Sequence, residues 1–132
     1  MLIFLCMKSS EGVRAMGPPK IDKYSFGEIV IDGIRYESDV VILPEGVFSD
    51  WWRLEGHKLH LEDIREYLSK AVIDVLVVGT GASGIMKVMD EVMLEMRARG
   101  IEVIALPTGE ACKVYNDLST KKRVMGVFHL TC

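Results

Sequence analysis

The amino-acid sequence predicts an α/β domain: a three-layer sandwich with a central mixed, mainly parallel sheet, flanking helices and an N-terminal β-hairpin. Three observations carry that prediction. Residues 72–78 (Val-Ile-Asp-Val-Leu-Val-Val) are an almost unbroken β-branched and aliphatic run, the pattern of a central strand covered on both faces. From residue 61 onward, helical and strand-like segments alternate with short connections, which implies right-handed crossovers and mostly parallel pairing. Upstream, apolar residues at period two flank Asp32-Gly33, a dipeptide suited to a type I′ turn because both central positions need positive φ.

Taken in order, the first 19 residues read as an appendage. Leu2-Ile3-Phe4-Leu5 is too short to span a bilayer or to form a good export signal. Met7 and Met16 are alternative starts, and Gly17-Pro18-Pro19 forms a linker into a single domain over 20–132. The hairpin runs from Ser25 to Leu43, with Ile29, Ile31, Ile34, Tyr36, Val40 and Ile42 supplying the alternation. Pro44-Glu45-Gly46 closes it, Val47–Trp52 reads as a short strand, and Arg53–His60 as a polar loop. Leu61, Ile64 and Leu68 recur at helical spacing, with Glu62 and Asp63 in the first turn where the helix dipole favours acids. The glycine-rich turn Gly79–Gly84 follows the central strand. A helix is expected from Ile85 to Arg99, ended by Arg97, Arg99 and Gly100. A strand over 101–106 stops at Pro107, Thr108 N-caps a helix to Leu118, and residues 123–130 form the last strand.

Composition narrows the function. A chain of 132 residues holds one core, and a net charge of −3 argues against a phosphate-neutralising surface, so nucleic acid is not an expected partner. Lys121-Lys122-Arg123 reads as a solvated helix end. No membrane segment is evident, no cofactor is expected, and the expected location is the cytoplasm. Cys6, Cys112 and Cys132 match no zinc or redox spacing. The absence of Gln and the single Asn116 follow one trend of heat-adapted, thermophile sequences, against which stand eight methionines.

Several residues invite chemistry, each with a plainer alternative. Gly79-Thr80-Gly81-Ala82-Ser83-Gly84 fits G-x-G-x-x-G between a strand and the expected helix, where a phosphate would meet backbone N–H groups. The strand that follows ends without an acidic residue for a ribose, and a tight turn requiring small residues explains the same glycines. Cys112, near a helix start, is a thiol that such a site can activate; a buried small side chain is the simpler reading. His57 and His60, followed by Asp63, suggest a metal only if they share a helical face, which this polar segment does not provide; no metal is expected. His129 lies in an apolar strand and reads as a hydrogen-bonded core or rim histidine. Met86, Met89, Met93 and Met96 make one apolar helix face. Trp51-Trp52 beside Arg53 places one indole inward and one near the surface, and Trp and Arg are favoured interface anchors.

Ser25-Phe26-Gly27, Trp52-Arg53 with Gly56-His57, Val77-Val78-Gly79-Thr80-Gly81, Leu106-Pro107-Thr108, Glu110-Ala111, Tyr115-Asn116 and the closing Gly126–Cys132 also occur here in a familiar order. On these strings the sequence resembles the small-domain family that includes the adipogenesis-associated cytoplasmic protein and the mitochondrial complex I assembly factor. The resemblance covers roughly residues 21–132 and implies a compact layered fold with a central mixed sheet. It implies no reaction and transfers no catalytic residue; the mitochondrial leader of the assembly-factor branch is not recognisable here.

The expected function is a binding or assembly module without turnover of its own, recognising a protein partner through Trp51 and Trp52. The alternative is a small anionic or nucleotide ligand at the strand ends, contacted by Arg53, His57, Gly79, Thr80, Gly81 and Thr108, with His57 or Cys112 available for a modest activity. A structural homo-oligomer is the third reading.

Overall fold

Ile21–Ser25 (β1), Glu28–Ile31 (β2) and Ile34–Tyr36 (β3) form an antiparallel meander. This computed structural model describes residues 17–132, so the expected appendage falls outside the described residues except for its last three, as does Cys6. Asp32 and Gly33 take φ of 49° and 80°, joining Ile31 to Ile34 as the two-residue turn requires. The predicted hairpin over 25–43 is corrected in extent: it begins at Ile21, and the chain leaves it at Ser38 to enter another sheet.

That second sheet comprises Val40–Leu43 (β4), Gly46–Phe48 (β5), Val75–Thr80 (β7), Glu102–Leu106 (β9) and Val124–His129 (β10), in the order β5-β4-β10-β7-β9. β10, β7 and β9 are parallel, while β4 and β5 are antiparallel additions, so the central sheet is mixed. Lys58–Leu59 (β6) and Lys87–Val88 (β8) make a short parallel ribbon. The helices are Glu62–Leu68 (α1), Asp90–Ala98 (α2) and Thr108–Ser119 (α3).

Alternation along the strands feeds two separate cores. Leu76 and Val78 of β7 join Val41, Met125 and Val127 against Ile64, Leu68, Val92 and Met96 of α1 and α2. Val75 and Val77 join Val40, Ile42, Val124 and Phe128 against α3 and the meander residues Ile29 and Ile31. The four β7 residues are at most 1% exposed, which explains why this strand reads as a continuous apolar run. Each contributes roughly 1.5–3 kcal/mol by burial. The meander is fastened to α3 by Asn116, whose amide accepts from the Ile21 N–H at 2.9 Å and donates to the Ile21 carbonyl at 2.7 Å.

Two helix boundaries differ from expectation. Residues 85–89 are not helical: Met86 N–H donates to the Thr80 carbonyl, Lys87 N–H to His57, and Met89 N–H to Leu59, so the segment runs as a ribbon strand before α2 begins at Asp90. The methionine stripe is therefore divided; Met86 and Met96 are buried, whereas Met93 is 45% exposed. Thr108 is the first helical residue rather than the cap, which is Pro107, and its hydroxyl is engaged elsewhere. Trp51 and Trp52 follow β5 in the loop, outside the strand expected to reach them.

Glycine 81 has φ of +108°, and a Cβ there would lie 2.6 Å from the Thr131 carbonyl oxygen and 2.7 Å from Cys132 backbone atoms. Gly33 has positive φ but open space around it. Gly33→Ala should accordingly cost about 1–2 kcal/mol for the left-handed backbone alone. Gly81→Ala carries the steric conflict as well, so urea denaturation should show a clearly lower midpoint for Gly81→Ala than for Gly33→Ala. Equal midpoints would show that the 130–132 segment does not pack against Gly81.

Candidate functional site

The carboxyl ends of β7, β9 and β10 lie side by side, the edge at which open α/β sheets place their ligands. Here that edge is closed by hydrogen bonds among residues distant in sequence. Thr108, fully buried, donates its hydroxyl to the His129 carbonyl at 2.6 Å and accepts the Gly81 N–H at 2.9 Å. Its own N–H donates to the Gly81 carbonyl at 2.9 Å. Gly79 must be small for this: a Cβ would stand 2.9 Å from Thr108 Oγ1 and 2.8 Å from the Phe128 ring. The glycines thus admit neighbouring elements of the domain itself. Because no helix follows Gly84, the loop also lacks the helix N-terminus a phosphate cradle needs. α2 instead opens with Asp90 and Glu91.

On the other face of β10, Asp39 joins two chain segments to its own, the 51–53 loop and residues 129–130. Its Oδ2 accepts from Arg53 Nη1 at 2.8 Å and lies 2.8 Å from His129 Nδ1; its Oδ1 accepts the Leu130 N–H at 2.8 Å. The Asp39 carbonyl accepts the Trp51 N–H at 2.9 Å. Burial pushes the Asp39 carboxyl up, but the hydrogen bonds from His129, the Leu130 N–H and Arg53 together outweigh it and hold the carboxyl below its usual value. An ionised Asp39 accepts only, so His129 Nδ1 carries the proton between them. The Arg53 Nη2 contact to Nδ1 at 3.1 Å is then a close approach of two donors.

Arg53 has a 5% exposed side chain and is committed internally. Its Nε and Nη2 donate to the Gly56 carbonyl at 3.2 and 2.9 Å, and its guanidinium lies 4.9 Å from the Trp51 ring. Trp51 is buried and donates its indole N–H to the Asp63 carbonyl at 3.0 Å. Asp63 in turn accepts the Leu54 and His60 N–H groups on its two carboxylate oxygens. The 50–61 loop is therefore built around two carboxylates, Asp39 and Asp63. Neither role was evident in sequence; Asp63 drew attention as a first-turn helix acid and as a companion of His57 and His60.

His57 and His60 do not form a pair. His60 Nε2 sits 2.8 Å from Glu55, whose hydrogen bond holds the imidazole toward its protonated form. His57 instead faces His129, with ring centroids 6.1 Å apart. Thr80 is opposite His129 in the β7–β10 register. Arg53 and His57 thus meet the strand-end residues through His129, a residue sequence reasoning left in the core.

Trp52 lies outside this network and is 86% exposed, with Leu54 71% exposed beside it. Shallow clefts of about 440 and 400 Å³ flank the indole and include Glu37, Asp50, Glu62 and Glu66 in their walls. Cys112 lines a separate cleft of about 580 Å³ beside β1, but burial pushes its thiol up to about 12.

A mixed central sheet flanked by three helices and an antiparallel meander is, as a class, a small α/β domain. The chain belongs to the family described as "Protein of unknown function (DUF498/DUF598)", whose model matches residues 21–129. Among curated relatives, the human NADH dehydrogenase [ubiquinone] 1 alpha subcomplex assembly factor 3 is 32% identical over 108 residues. That match covers 80% of this chain and 57% of the human protein. The zebrafish (Danio rerio) assembly factor 3 is 33% identical over 106 residues, covering 79% of this chain and 59% of its own length. The chain thus spans less than two thirds of these relatives.

Among solved structures, conserved hypothetical protein PH1505 of Pyrococcus horikoshii aligns with a TM-score of 0.76 at 35% identity, covering 86% of this chain and 99% of that one. A Bartonella henselae protein described as an outer membrane protein aligns with a TM-score of 0.74 at 22% identity, over 88% of this chain and 98% of its own, and shows the shared fold alone. No helix among the described residues is long and apolar enough to cross a membrane.

Removing Asp39 strands a buried guanidinium. Asp39→Ala should cost about 3–5 kcal/mol, the range for an uncompensated buried charge. Asp117→Ala, on an exposed pair with Lys121, should leave the denaturation midpoint nearly unchanged. In a second measurement, iodoacetamide at pH 8 should label exposed Cys132 in the native protein and reach Cys112 only after denaturant is added. Peptide mapping distinguishes the two sites; rapid native labelling of Cys112 would contradict its burial.

Proposed function

We propose that this domain is a recognition module of assembly-factor type, which docks a protein partner through Trp52 and Leu54 and performs no turnover of its own. The carrying observation is the division between adjacent tryptophans. Trp51 is buried and tied to Asp63 and Arg53, whereas Trp52 is held out at 86% exposure on the same braced loop. Anchoring the loop beneath an exposed indole lowers the entropy lost on docking, and tryptophan is a preferred interface anchor. In the rim, Glu37 and Glu62 are paired with Arg35 and Arg65, and Asp50 and Glu66 beside them favour a partner that presents an apolar pocket bordered by Lys or Arg. The printed name of the human relative, an assembly factor, supports a role in bringing proteins together.

The small-anion reading draws less support. Arg53 is enclosed by Asp39 and Gly56, and the Gly79–Gly84 loop is filled by Thr108 and the 130–132 segment. A cytoplasmic site of action and self-association belong to the same proposal as open alternatives, the second being a partner identical to the chain.

A photo-crosslinking amino acid at position 52, introduced in the native host, should yield one discrete heteromeric adduct that the same probe at Lys113 does not. In binding measurements with the captured protein, Trp52→Ala should weaken affinity by roughly 30-fold or more, the about 2 kcal/mol expected of an anchor residue. An adduct of twice the chain mass would replace the heteromeric reading with a homo-oligomer. Identical adducts at both positions, or none at 52, would remove the Trp52 surface as the docking site.

A further inference from the structure

His129 has an imbalance that the Asp39 network does not resolve. Its side chain is 8% exposed and its Nδ1 is engaged by Asp39, yet Nε2 is buried with no hydrogen-bond partner among the described residues. A buried polar atom left unsatisfied is unfavourable and calls for a ligand. With Nδ1 against Asp39, Nε2 is the ring nitrogen left to bind a metal, which an imidazole does in its neutral form. A carboxylate on the far ring nitrogen is the usual support for a metal-bound imidazole, fixing its tautomer and orientation. Here that carboxylate is itself oriented by the Leu130 N–H and Arg53.

Two further donors converge on this ring. One ligand atom each of His57, His129 and Cys132 lies within 4.8 Å of the others. His57 is set in place by its backbone, whose carbonyl accepts the Lys87 N–H at 2.9 Å. Cys132 is carried by a segment fixed where Gly27 N–H donates to Leu130 and Ala82 N–H to Thr131. We propose that His57, His129 and Cys132 form a binding site for a thiophilic divalent transition-metal ion, zinc(II) first among them, with a fourth position open to an outside ligand.

Two imidazoles and a thiolate form a borderline-soft donor set suited to zinc. Zinc bonds of about 2.0–2.1 Å to nitrogen and 2.3 Å to sulfur put the tetrahedral ligand atoms of this set about 3.3–3.6 Å apart. His57 and Cys132, both exposed, close the remaining difference by side-chain rotation around a fixed His129. On binding, the Cys132 thiol gives its proton to solvent and sulfur donates a pair to the ion, while both imidazoles bind neutral. Three protein ligands leave one coordination position for water, an anion or a side chain from a docked partner. The three histidines are 57, 60 and 129, and sequence spacing pairs the wrong two.

The test is a cobalt(II) titration of the full, reduced chain, followed by zinc(II). Thiolate ligation should give a near-ultraviolet sulfur-to-cobalt charge-transfer band and strong tetrahedral visible bands, both lost on adding zinc. Cys132→Ser should abolish the charge-transfer band, and His57→Asn should weaken cobalt affinity at least tenfold. A Cys6→Ser/Cys112→Ser double variant should retain the spectrum, excluding the other thiols. Since truncating His129 endangers the fold, its ligation is read by NMR of the unaltered protein. Zinc should shift the ring signals of His57 and His129 and leave His60, held by Glu55, in place. A charge-transfer band that survives Cys132→Ser, ring shifts confined to His60, or no band from folded, reduced protein would each overturn the proposal.

Discussion

The ionised carboxylate of Asp39 is the interaction on which the functional half of the molecule depends. It stands just before β4, where that strand enters the sheet beside β10, and it binds a side chain from the middle loop together with the ring and the following backbone N–H of the last strand. Its depressed protonation is the balance of burial against three donors. One negative charge therefore sets the position of Arg53, the tautomer of His129 and the entry of residues 130–132. The buried guanidinium and imidazole do not stabilise one another; each is acceptable there because the same carboxylate serves both.

Across the sheet edge, Thr108 performs the complementary task without charge. A single hydroxyl, donating once and accepting once, joins the start of α3 to the ends of β7 and β10. Gly79 and Gly81 are small because Thr108, Phe128 and the 130–132 backbone occupy the space side chains would fill. The strings that carried the family resemblance gain a physical account from these contacts. Leu106-Pro107-Thr108, Gly79-Thr80-Gly81 and the residues around His129 are three sides of one junction, while Tyr115-Asn116 clasps Pro19 and Ile21.

Much of the architecture was legible because it is local or periodic. The β-branched run of β7 and the Asp32-Gly33 turn follow from rules spanning a few residues, whereas Trp51 and Trp52 part in a loop, not by the strand alternation expected of them. The helix expected from Ile85 failed for an equally plain reason. Met86, Met89, Met93 and Met96 satisfy helical spacing, yet Met86 is buried from an extended segment whose backbone pairs with the 57–59 loop, a tertiary choice that spacing cannot register. The contacts at the strand ends were legible only in part. Arg53, His57 and Thr108 do gather near the strand ends, but Asp39 and His129 remained hidden, since 90 residues separate them and each is ordinary in its own neighbourhood.

The sheet order carries a consequence for how the molecule comes into being. β10, the final strand in the chain, occupies the middle of the five-stranded sheet, hydrogen-bonded to β4 on one side and β7 on the other. During synthesis, β5-β4 and β7-β9 emerge as two half-sheets, each with an apolar edge that lacks its neighbour. Closure must wait for residues 124–129 to clear the ribosome and insert between them. A ribosome that stalls before that point leaves two unpaired strand edges in place of a smaller folded domain, the kind of intermediate that chaperones recognise.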